Sequence, residues 1–197
     1  MTVVVIDGCR TEMPDNGEPS LDELFARLER MPVPEGFKTE IVEGTVYMSP
    51  QTNTHWEIIA AIYDQLRTRY PRRQVKSDVR FDFPGHLNGF APDVVALAEG
   101  ARSDDEGRCD YRDIECVAEV ISKDTAENDY VTKRAVYAAA GVPVYVIADP
   151  RSGWNHVFTE PENGVYQSDL TLAFGKPLDL THTVVGLQLT TEDFPRD

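Results

Sequence analysis

Two stretches of the chain repeat their apolar residues at the spacing of a helix that buries one face, and each begins with a capping-box pattern. The first pattern runs from Ser20 to Glu23 and the second from Thr54 to Glu57. A third stretch contains neither Gly nor Pro and ends at Gly141, the residue type most common just past a helix. The chain is therefore predicted to form three helices, over residues 21–30, about 53–69 and 126–140.

Strand patterns lie between and after these helices. Residues 74–83 alternate apolar and polar side chains, which is typical of a half-buried strand, and Gly85 and Gly89 predict a loop after it. Two continuous apolar runs rich in Val or Ile fit central strands that are covered on both faces. The predicted strands are residues 37–43, 45–49, 74–83, 92–98, 114–121 and 143–149, followed by a C-terminal hairpin of residues 154–159 and 164–167.

The order of these elements predicts one mixed α/β domain over residues 20–197, which is long enough to bury a full hydrophobic core. Residues 1–19, with two Pro, two Gly and several acids, are expected to form a flexible leader. The three Cys residues lack zinc-ligand spacing, so they fit reduced thiols in a cytoplasmic protein. The apolar segment of residues 2–6 is too short for a signal peptide or a membrane span, so no membrane association is expected.

The formal net charge of −15 argues against a general nucleic-acid binder, because affinity for nucleic acid comes largely from Lys and Arg that neutralise phosphates. Positive charge is concentrated, however, in one segment that contains a single acid, Asp78. We interpret this basic segment as a nucleic-acid-binding surface, and the alternative is a solvated surface that balances local charge. Its cations are Arg67, Arg69, Arg72, Arg73, Lys76 and Arg80.

One carboxylate stands inside each of the two continuous apolar runs. Asp93 follows Pro92 in the first run, and Glu119 lies within the second. A carboxylate is costly to bury without a partner, so two of them in strands expected to be neighbours favour a shared cation. Mg²⁺ is the natural candidate, because it prefers oxygen ligands and can polarise a phosphoryl oxygen. The alternative for each residue is a strand-end carboxylate that reaches solvent.

Several short motifs follow one another along the chain. They are Glu40 to Gly44, Met48 to Pro50, His55, Pro92-Asp93, Glu119 to Ser122 with Thr125, Asp129, Lys133, Tyr137, and Gly141 to Pro150. In this order and spacing they resemble the Uma2 (DUF820) family, a branch of the PD-(D/E)XK nuclease superfamily. The resemblance extends from about residue 35 to residue 150.

This resemblance implies a restriction-endonuclease-like core, in which helices flank a central mixed β-sheet with hairpins near both ends of the chain. It also implies dependence on Mg²⁺ or Mn²⁺ and a DNase activity, with Asp93 and Glu119 as the metal ligands. The usual superfamily Lys, two residues after the Glu, is replaced here by Ile121. The Uma2 pattern has a helical Lys further on, which matches Lys133, and Lys123 is a rival candidate.

Three further residues match family positions and are candidates for supporting roles: Glu40, His55 and Asp129. Glu40 and His55 are expected to line the same cleft, although a His near the start of a helix more often has a capping or packing role. Asp129 lies four residues before Lys133 on a predicted helix, so the alternative for this pair is an ion pair on the surface.

Motifs of nucleotide-dependent enzymes and of serine or zinc hydrolases do not occur in the sequence, which disfavours those classes. Two hypotheses remain. The first is a metal-dependent endonuclease that cuts DNA, with a homodimer placing two sites on two strands. The second is a catalytically inactive interaction domain that retains the nuclease fold. The net charge and the missing Lys at position 121 favour the second, and the basic segment and the retained Asp93, Glu119 and Lys133 favour the first.

Overall fold

A computed structural model of the protein describes residues 19–123 and 125–197, so the predicted leader lies outside the described residues except for Pro19. The helices are α1 (Leu21–Leu28), α2 (Asn53–Leu66) and α3 (Arg134–Ala139), with a π-helical segment (Asn128–Lys133) directly before α3. The strands are β1 (Phe37–Val42), β2 (Thr45–Pro50), β3 (Val75–Lys76), β4 (Phe81–Phe83), β5 (Asn88–Phe90), β6 (Val94–Leu97), β7 (Ile114–Val120), β8 (Val144–Asp149), β9 (Trp154–Glu162), β10 (Val165–Ala173), β11 (Leu178–Asp179) and β12 (Gln188–Leu189).

A six-stranded mixed sheet, in the order β10-β9-β8-β7-β6-β3, forms the centre of the molecule. Strands β7 and β8 are parallel, and the other neighbours in this sheet are antiparallel. The parallel pair is connected through the π-helical segment and α3, because parallel neighbours need a crossover rather than a tight turn. The central strands β6, β7 and β8 are almost wholly buried, which confirms the prediction from their continuous apolar runs.

Different elements cover the two faces of the central sheet. On one face, α2 packs Ile58, Ile62 and Leu66 against side chains of β6, β7 and β8, together with apolar residues from the C-terminal segment. On the other face, aromatic residues of β4 and β5 pack against Tyr137 of α3, which in turn contacts Tyr145 of β8. The mixed α/β fold expected from the order of elements is confirmed.

A four-stranded antiparallel sheet, in the order β2-β1-β5-β4, packs beside this second face. The predicted N-terminal hairpin is present, and its turn places Glu43 and Gly44 at positive φ angles of 49° and 75°. Gly89 of β5 lies opposite Ile41 of β1. A Cβ atom at Gly89 would lie 2.4 Å from the Phe25 ring, so only Gly allows α1 to pack this closely.

Two predictions about strands were wrong. Residues 74–83 form β3 and β4 in two different sheets, because Asp78 between them has a left-handed backbone (φ 53°) that interrupts the extended chain. Gly89 lies within β5, where the sequence predicted a loop. The alternation of apolar and polar residues over 74–83 therefore belongs to two short strands and not to one long strand.

Two details of the helices also differ from prediction. The N-cap of α2 is Thr52, whose side chain accepts a hydrogen bond from the His55 backbone, and not Thr54. The predicted helix over 126–140 is π-helical between Asn128 and Lys133. The capping box at Ser20 and Glu23 is confirmed, and the C-terminal hairpin formed by β9 and β10 is longer than predicted.

In the part of the chain that the structure describes, no helix is long and apolar enough to span a membrane.

Candidate active site

Asp93 and Glu119 lie side by side at one end of the central sheet. Asp93 directly precedes β6, and the antiparallel register that pairs Val94 with Ala118 brings it next to Glu119 of β7. The Asp93 amide donates to Glu119 Oε2 over 3.2 Å, and the Val120 amide donates to Asp93 Oδ2 over 2.7 Å. Both side chains are buried, so neither is a strand-end carboxylate that reaches solvent.

Glu40 enters the same site from the four-stranded sheet. Because β1 pairs with β5, its Glu40 lies over the segment that leads into Asp93. The Ala91 amide donates to Glu40 Oε1 over 2.9 Å, which fixes this carboxylate from the backbone. Its other oxygen, Oε2, accepts a 2.6 Å hydrogen bond from Lys133.

Lys133 reaches this cluster from the π-helical segment. Its ammonium lies 2.6 Å from Glu40, 3.0 Å from Glu119 and 2.9 Å from Asp129. Burial lowers the pKa of Lys133, but the negative charges of these acids outweigh that effect and hold the pKa well above its ordinary value. Asp129 and Lys133 are both buried, so the interpretation of this pair as a surface ion pair was wrong.

Lys38 is a second buried cation of the site, and it is not among the site residues predicted from the sequence. Its ammonium lies 2.6 Å from Asp93 Oδ1, 3.4 Å from Glu119 Oε2 and 3.9 Å from Glu40 Oε2. Burial lowers the pKa of Lys38, but the same three carboxylates raise it above its ordinary value. Lys38 and Glu40 are two residues apart on β1 and therefore share a face, which is the signal that could have revealed Lys38.

Glu119 is held in its ionised form. Burial alone raises the pKa of its carboxyl, but Lys133, Lys38 and a 2.8 Å hydrogen bond from the Tyr137 hydroxyl lower that pKa to about 2. In contrast, the pKa of Asp129 is raised to about 7. Burial is the main cause, and the negative charges of Glu119 and Glu40 add to it, whereas Lys133 lowers this pKa. The cluster thus combines a carboxylate whose pKa is lowered with one whose pKa is raised.

His55 supports the site from α2 without contacting the carboxylates. Its Nε2 donates to the Val120 carbonyl over 2.8 Å, and its Nδ1 lies 3.4 Å from the Thr52 hydroxyl. A carbonyl oxygen can only accept, so the proton lies on Nε2. The imidazole therefore anchors the end of β7, the strand that carries Glu119.

The candidate residues enclose a small cavity of about 10 Å³. This volume is close to the minimum that holds one water molecule. When all groups are ionised, its four carboxylates exceed its two ammonium groups by two negative charges. The acids are Glu40, Asp93, Glu119 and Asp129, the cations are Lys38 and Lys133, and Ser49, Gln51, His55, Val120, Ser122 and Thr125 complete the lining.

The chemistry of the carboxylates fits a hard divalent cation. Asp93 Oδ1 and Glu119 Oε2 already converge on one positive charge, the Lys38 ammonium. Mg²⁺ is commonly bound through one or two carboxylates, with water molecules completing its shell. No group of three or more His, Cys, Asp or Glu side chains is arranged to hold a metal within the described residues. The fit therefore rests on Asp93 and Glu119.

Neither the usual superfamily lysine position, Ile121, nor the rival candidate Lys123 lines the cavity. Ile121 is buried in the aromatic cluster behind β7, and Lys123 is exposed and does not line the cavity. The ammonium groups at the carboxylates come instead from β1 and the π-helical segment, through Lys38 and Lys133.

The six cations of the basic segment divide into two groups. Three have partners within the protein: Arg67 donates to the Tyr70 carbonyl, Arg69 to the Val184 carbonyl at 3.4 Å, and Arg80 to Asp82 at 2.6 Å and Asp22 at 2.7 Å. For these three, the donors are used within the protein, which disfavours a direct role in binding nucleic acid.

The other three cations, Arg72, Arg73 and Lys76, line a cleft of about 520 Å³. Their side chains have no hydrogen bond or ion pair to another described residue. Lys76 pairs in the sheet with Val95, two residues after Asp93, so the cleft approaches the carboxylate site. Asp78 lies between the two regions, and burial, reinforced by Asp93 and Glu119, raises its pKa to about 6 despite the effect of Lys38.

With this geometry established, comparison with known proteins places the chain in a family. Residues 23–192 match the family model of Uma2, described as "Putative restriction endonuclease". The chain belongs to the Uma2 family. The resemblance inferred from residues 35–150 is thereby confirmed, and the match covers most of the chain.

A solved structure has the same fold as this Uma2 protein. It is described as a "putative nuclease belonging to DUF820 from Anabaena variabilis". It superimposes with a TM-score of 0.67 at 15% sequence identity, covering 90% of this chain and 97% of the other. A search of curated proteins gives no match. The expected nuclease fold is therefore confirmed.

Proposed function

We propose that this Uma2 protein is a metal-dependent endonuclease that hydrolyses phosphodiester bonds of DNA, with Asp93 and Glu119 holding Mg²⁺ or Mn²⁺. The observation that carries this proposal is the convergence of both carboxylates on one cation in a buried site with excess negative charge. An uncompensated charge is costly to bury, so such a site favours a further cation. The nuclease description of the family agrees with this chemistry.

The side chains around the carboxylates have separate tasks in the proposed reaction. A bound Mg²⁺ supplies polarisation of a phosphoryl oxygen and a lower pKa of a coordinated water. Lys133 directs a fixed positive charge at Glu119 and can stabilise negative charge that develops on the phosphate. Glu40 holds the Lys133 ammonium in place, and Tyr137 fixes the carboxylate of Glu119.

The direct test is cleavage of supercoiled plasmid by the purified protein. We expect nicked and linear products in the presence of Mg²⁺ or Mn²⁺ and none when EDTA removes the metal. A single-stranded RNA of similar length, assayed under the same conditions, determines whether DNA is the preferred substrate. Binding of Mn²⁺ without cleavage of either nucleic acid would contradict the proposal.

Lys38 gives one reason to keep the second hypothesis, a catalytically inactive interaction domain. Its ammonium already neutralises part of the charge on Asp93 and Glu119, so the site can be buried without a metal. In that case a titration of the protein with Mn²⁺ shows no saturable heat. Such a result favours the interaction domain.

We further propose that Arg72, Arg73 and Lys76 bind the phosphate backbone of the substrate. Guanidinium and ammonium groups without internal partners can neutralise phosphates and release the counterions bound there. Their cleft lies beside the strand that follows Asp93, which would place a bound backbone near the carboxylates. This limits the predicted nucleic-acid-binding set to three of its six residues.

Replacing Arg72, Arg73 and Lys76 together by Ala is expected to weaken binding to a short DNA duplex. Fluorescence anisotropy at several salt concentrations measures the effect, and the slope of log K against log salt should fall by roughly 2 to 3 units, since each phosphate contact contributes about 0.9. A matched triple variant removes three exposed cations outside the cleft, Arg112, Arg151 and Lys176, and should leave that slope unchanged. Equal losses in both triple variants would show a general charge effect and refute the proposed surface.

The predicted homodimer and the predicted cytoplasmic location stay predictions. Strand β10 forms one edge of the central sheet, and several of its residues are exposed, including Val165 and Leu170. An edge strand of this kind can pair with a second chain.

A further inference from the structure

Lys38 is a buried cation that the proposed cleavage reaction does not use. Only 7% of its side chain is exposed, although lysine is rarely buried in proteins. We propose that the Lys38 ammonium is an internal counter-ion that occupies the metal position between Asp93 and Glu119 and is displaced when a divalent cation binds. This inference rests on the proposed metal-dependent function.

The two oxygens of Glu119 face different cations. Oε1 contacts the Lys133 ammonium and the Tyr137 hydroxyl, whereas Oε2 is directed to Lys38 and the Asp93 amide. Within the described part of the chain, Lys38 is also the one cation that contacts Asp93. Lys38 and not Lys133 therefore bridges the two predicted metal ligands.

The site is too small to hold the Lys38 ammonium and a divalent metal ion at the same time. The cavity of about 10 Å³ has room for roughly one water molecule, whereas Mg²⁺ retains several waters in its shell. A divalent ion bound to both carboxylates would also lie against the ammonium that now contacts them, and like charges at that distance repel. The four-carbon stem of Lys38 is flexible, so the ammonium can withdraw while β1 stays in place.

The need to displace Lys38 lowers the affinity for the metal, because the ammonium loses its contacts with Asp93 and Glu119 when the metal binds. Replacing Lys38 by Met removes this competition and keeps most of the apolar stem. In the absence of nucleic acid, we expect K38M to bind Mn²⁺ about tenfold more tightly than the wild type, within the usual range for coupled equilibria. K38R retains the positive charge and is expected to bind no more tightly than the wild type.

The experiment is a calorimetric titration of Mn²⁺ into the wild type, K38M, K38R and D93N, with two charge controls. K133M removes a buried cation that contacts Glu119 but not Asp93, and K76M removes a cation on the neighbouring strand β3. Direct displacement predicts a larger gain for K38M than for either control. Equal gains in K38M and the controls indicate a general electrostatic effect and overturn the proposal.

Two further outcomes separate this proposal from the proposed function. If the wild type binds Mn²⁺ and D93N does not, but K38M binds no more tightly, the proposal for Lys38 fails and the metal site stands. If a folded wild type and a folded K38M both fail to bind Mn²⁺, the metal-dependent function fails as well. Should K38M be folded but too unstable for calorimetry, the increase in its melting temperature with Mn²⁺, compared with that of K38R, gives the same decision.

Discussion

Replacing Asp93 by Asn is expected to lower the rate of metal-dependent DNA cleavage by about a thousandfold or more, the size of loss typical when a principal catalytic group is removed. The amide keeps the shape of the side chain and can still accept the hydrogen bond from the Val120 amide. It loses the negative charge that we assign to metal binding, so only Glu119 remains as a charged ligand. The substitution therefore tests the charge of Asp93 with little change in packing.

The measurement is the initial rate of plasmid nicking at saturating Mn²⁺, with circular dichroism melting to show that D93N is folded. Asp105 is an exposed carboxylate in the loop between β6 and β7, and D105N makes the same chemical change away from the site. D105N should cleave at the rate of the wild type. A folded D93N variant that still cleaves at a rate within a few-fold of the wild type would show that Asp93 does not hold the catalytic metal.

Replacing Lys133 by Met is expected to destabilise the protein by about 3–5 kcal/mol, the usual consequence of removing one partner from a buried ion pair. The ammonium contacts Glu40, Glu119 and Asp129, and all three lie in the interior. Without it, these carboxylates retain Lys38 as their nearest cation, and Lys38 does not contact Asp129. The energetic cost comes from the acids left without a partner.

Unfolding in urea measures this loss as a change in the free energy of unfolding. Lys123 provides the matched control because it is exposed, and K123M should change stability by no more than about 0.5 kcal/mol. The same two variants, assayed for cleavage, decide between the two lysines that the sequence offered. If K133M and K123M are equally stable and equally active, Lys133 is neither a structural partner nor a catalytic group.

The position of the carboxylates was predictable because a buried charge is energetically costly unless a partner compensates it. Asp93 and Glu119 interrupt long apolar runs, and such runs are confined to central strands, so their proximity followed once the strands were taken as neighbours. Lys38 gave a weaker signal, the face that it shares with Glu40. It lies between Phe37 and Thr39 in a strand that has polar residues on both faces, and its burial depends on pairing between β1 and β5, which the sequence does not specify.

The remaining errors have local causes. Thr52 and Thr54 are both plausible caps, and the register of α2 alone decides between them. The π-helical segment before α3 has no composition signal, yet it sets how Asp129 and Lys133 face the carboxylates. In the basic segment, charge was readable from the sequence, but the partners of Arg80 lie at Asp82 and at the distant Asp22. Contacts between residues distant in the sequence therefore determine which of these cations remain free to bind phosphate.

The candidate site is assembled from elements that lie far apart in the chain, which has a consequence for biosynthesis. Lys133 and Glu40 are separated by 93 positions, and Lys38 and Glu119 by 81. Contacts between residues so far apart in the sequence form slowly, because closing the long intervening loop costs entropy before the contact stabilises the fold. A nascent chain on the ribosome that has emerged only as far as β7 lacks Lys133 and the strand that pairs with β7 in parallel. Such a chain cannot assemble the candidate site, so the carboxylates and lysines come together only after the segment through β8 has been synthesised.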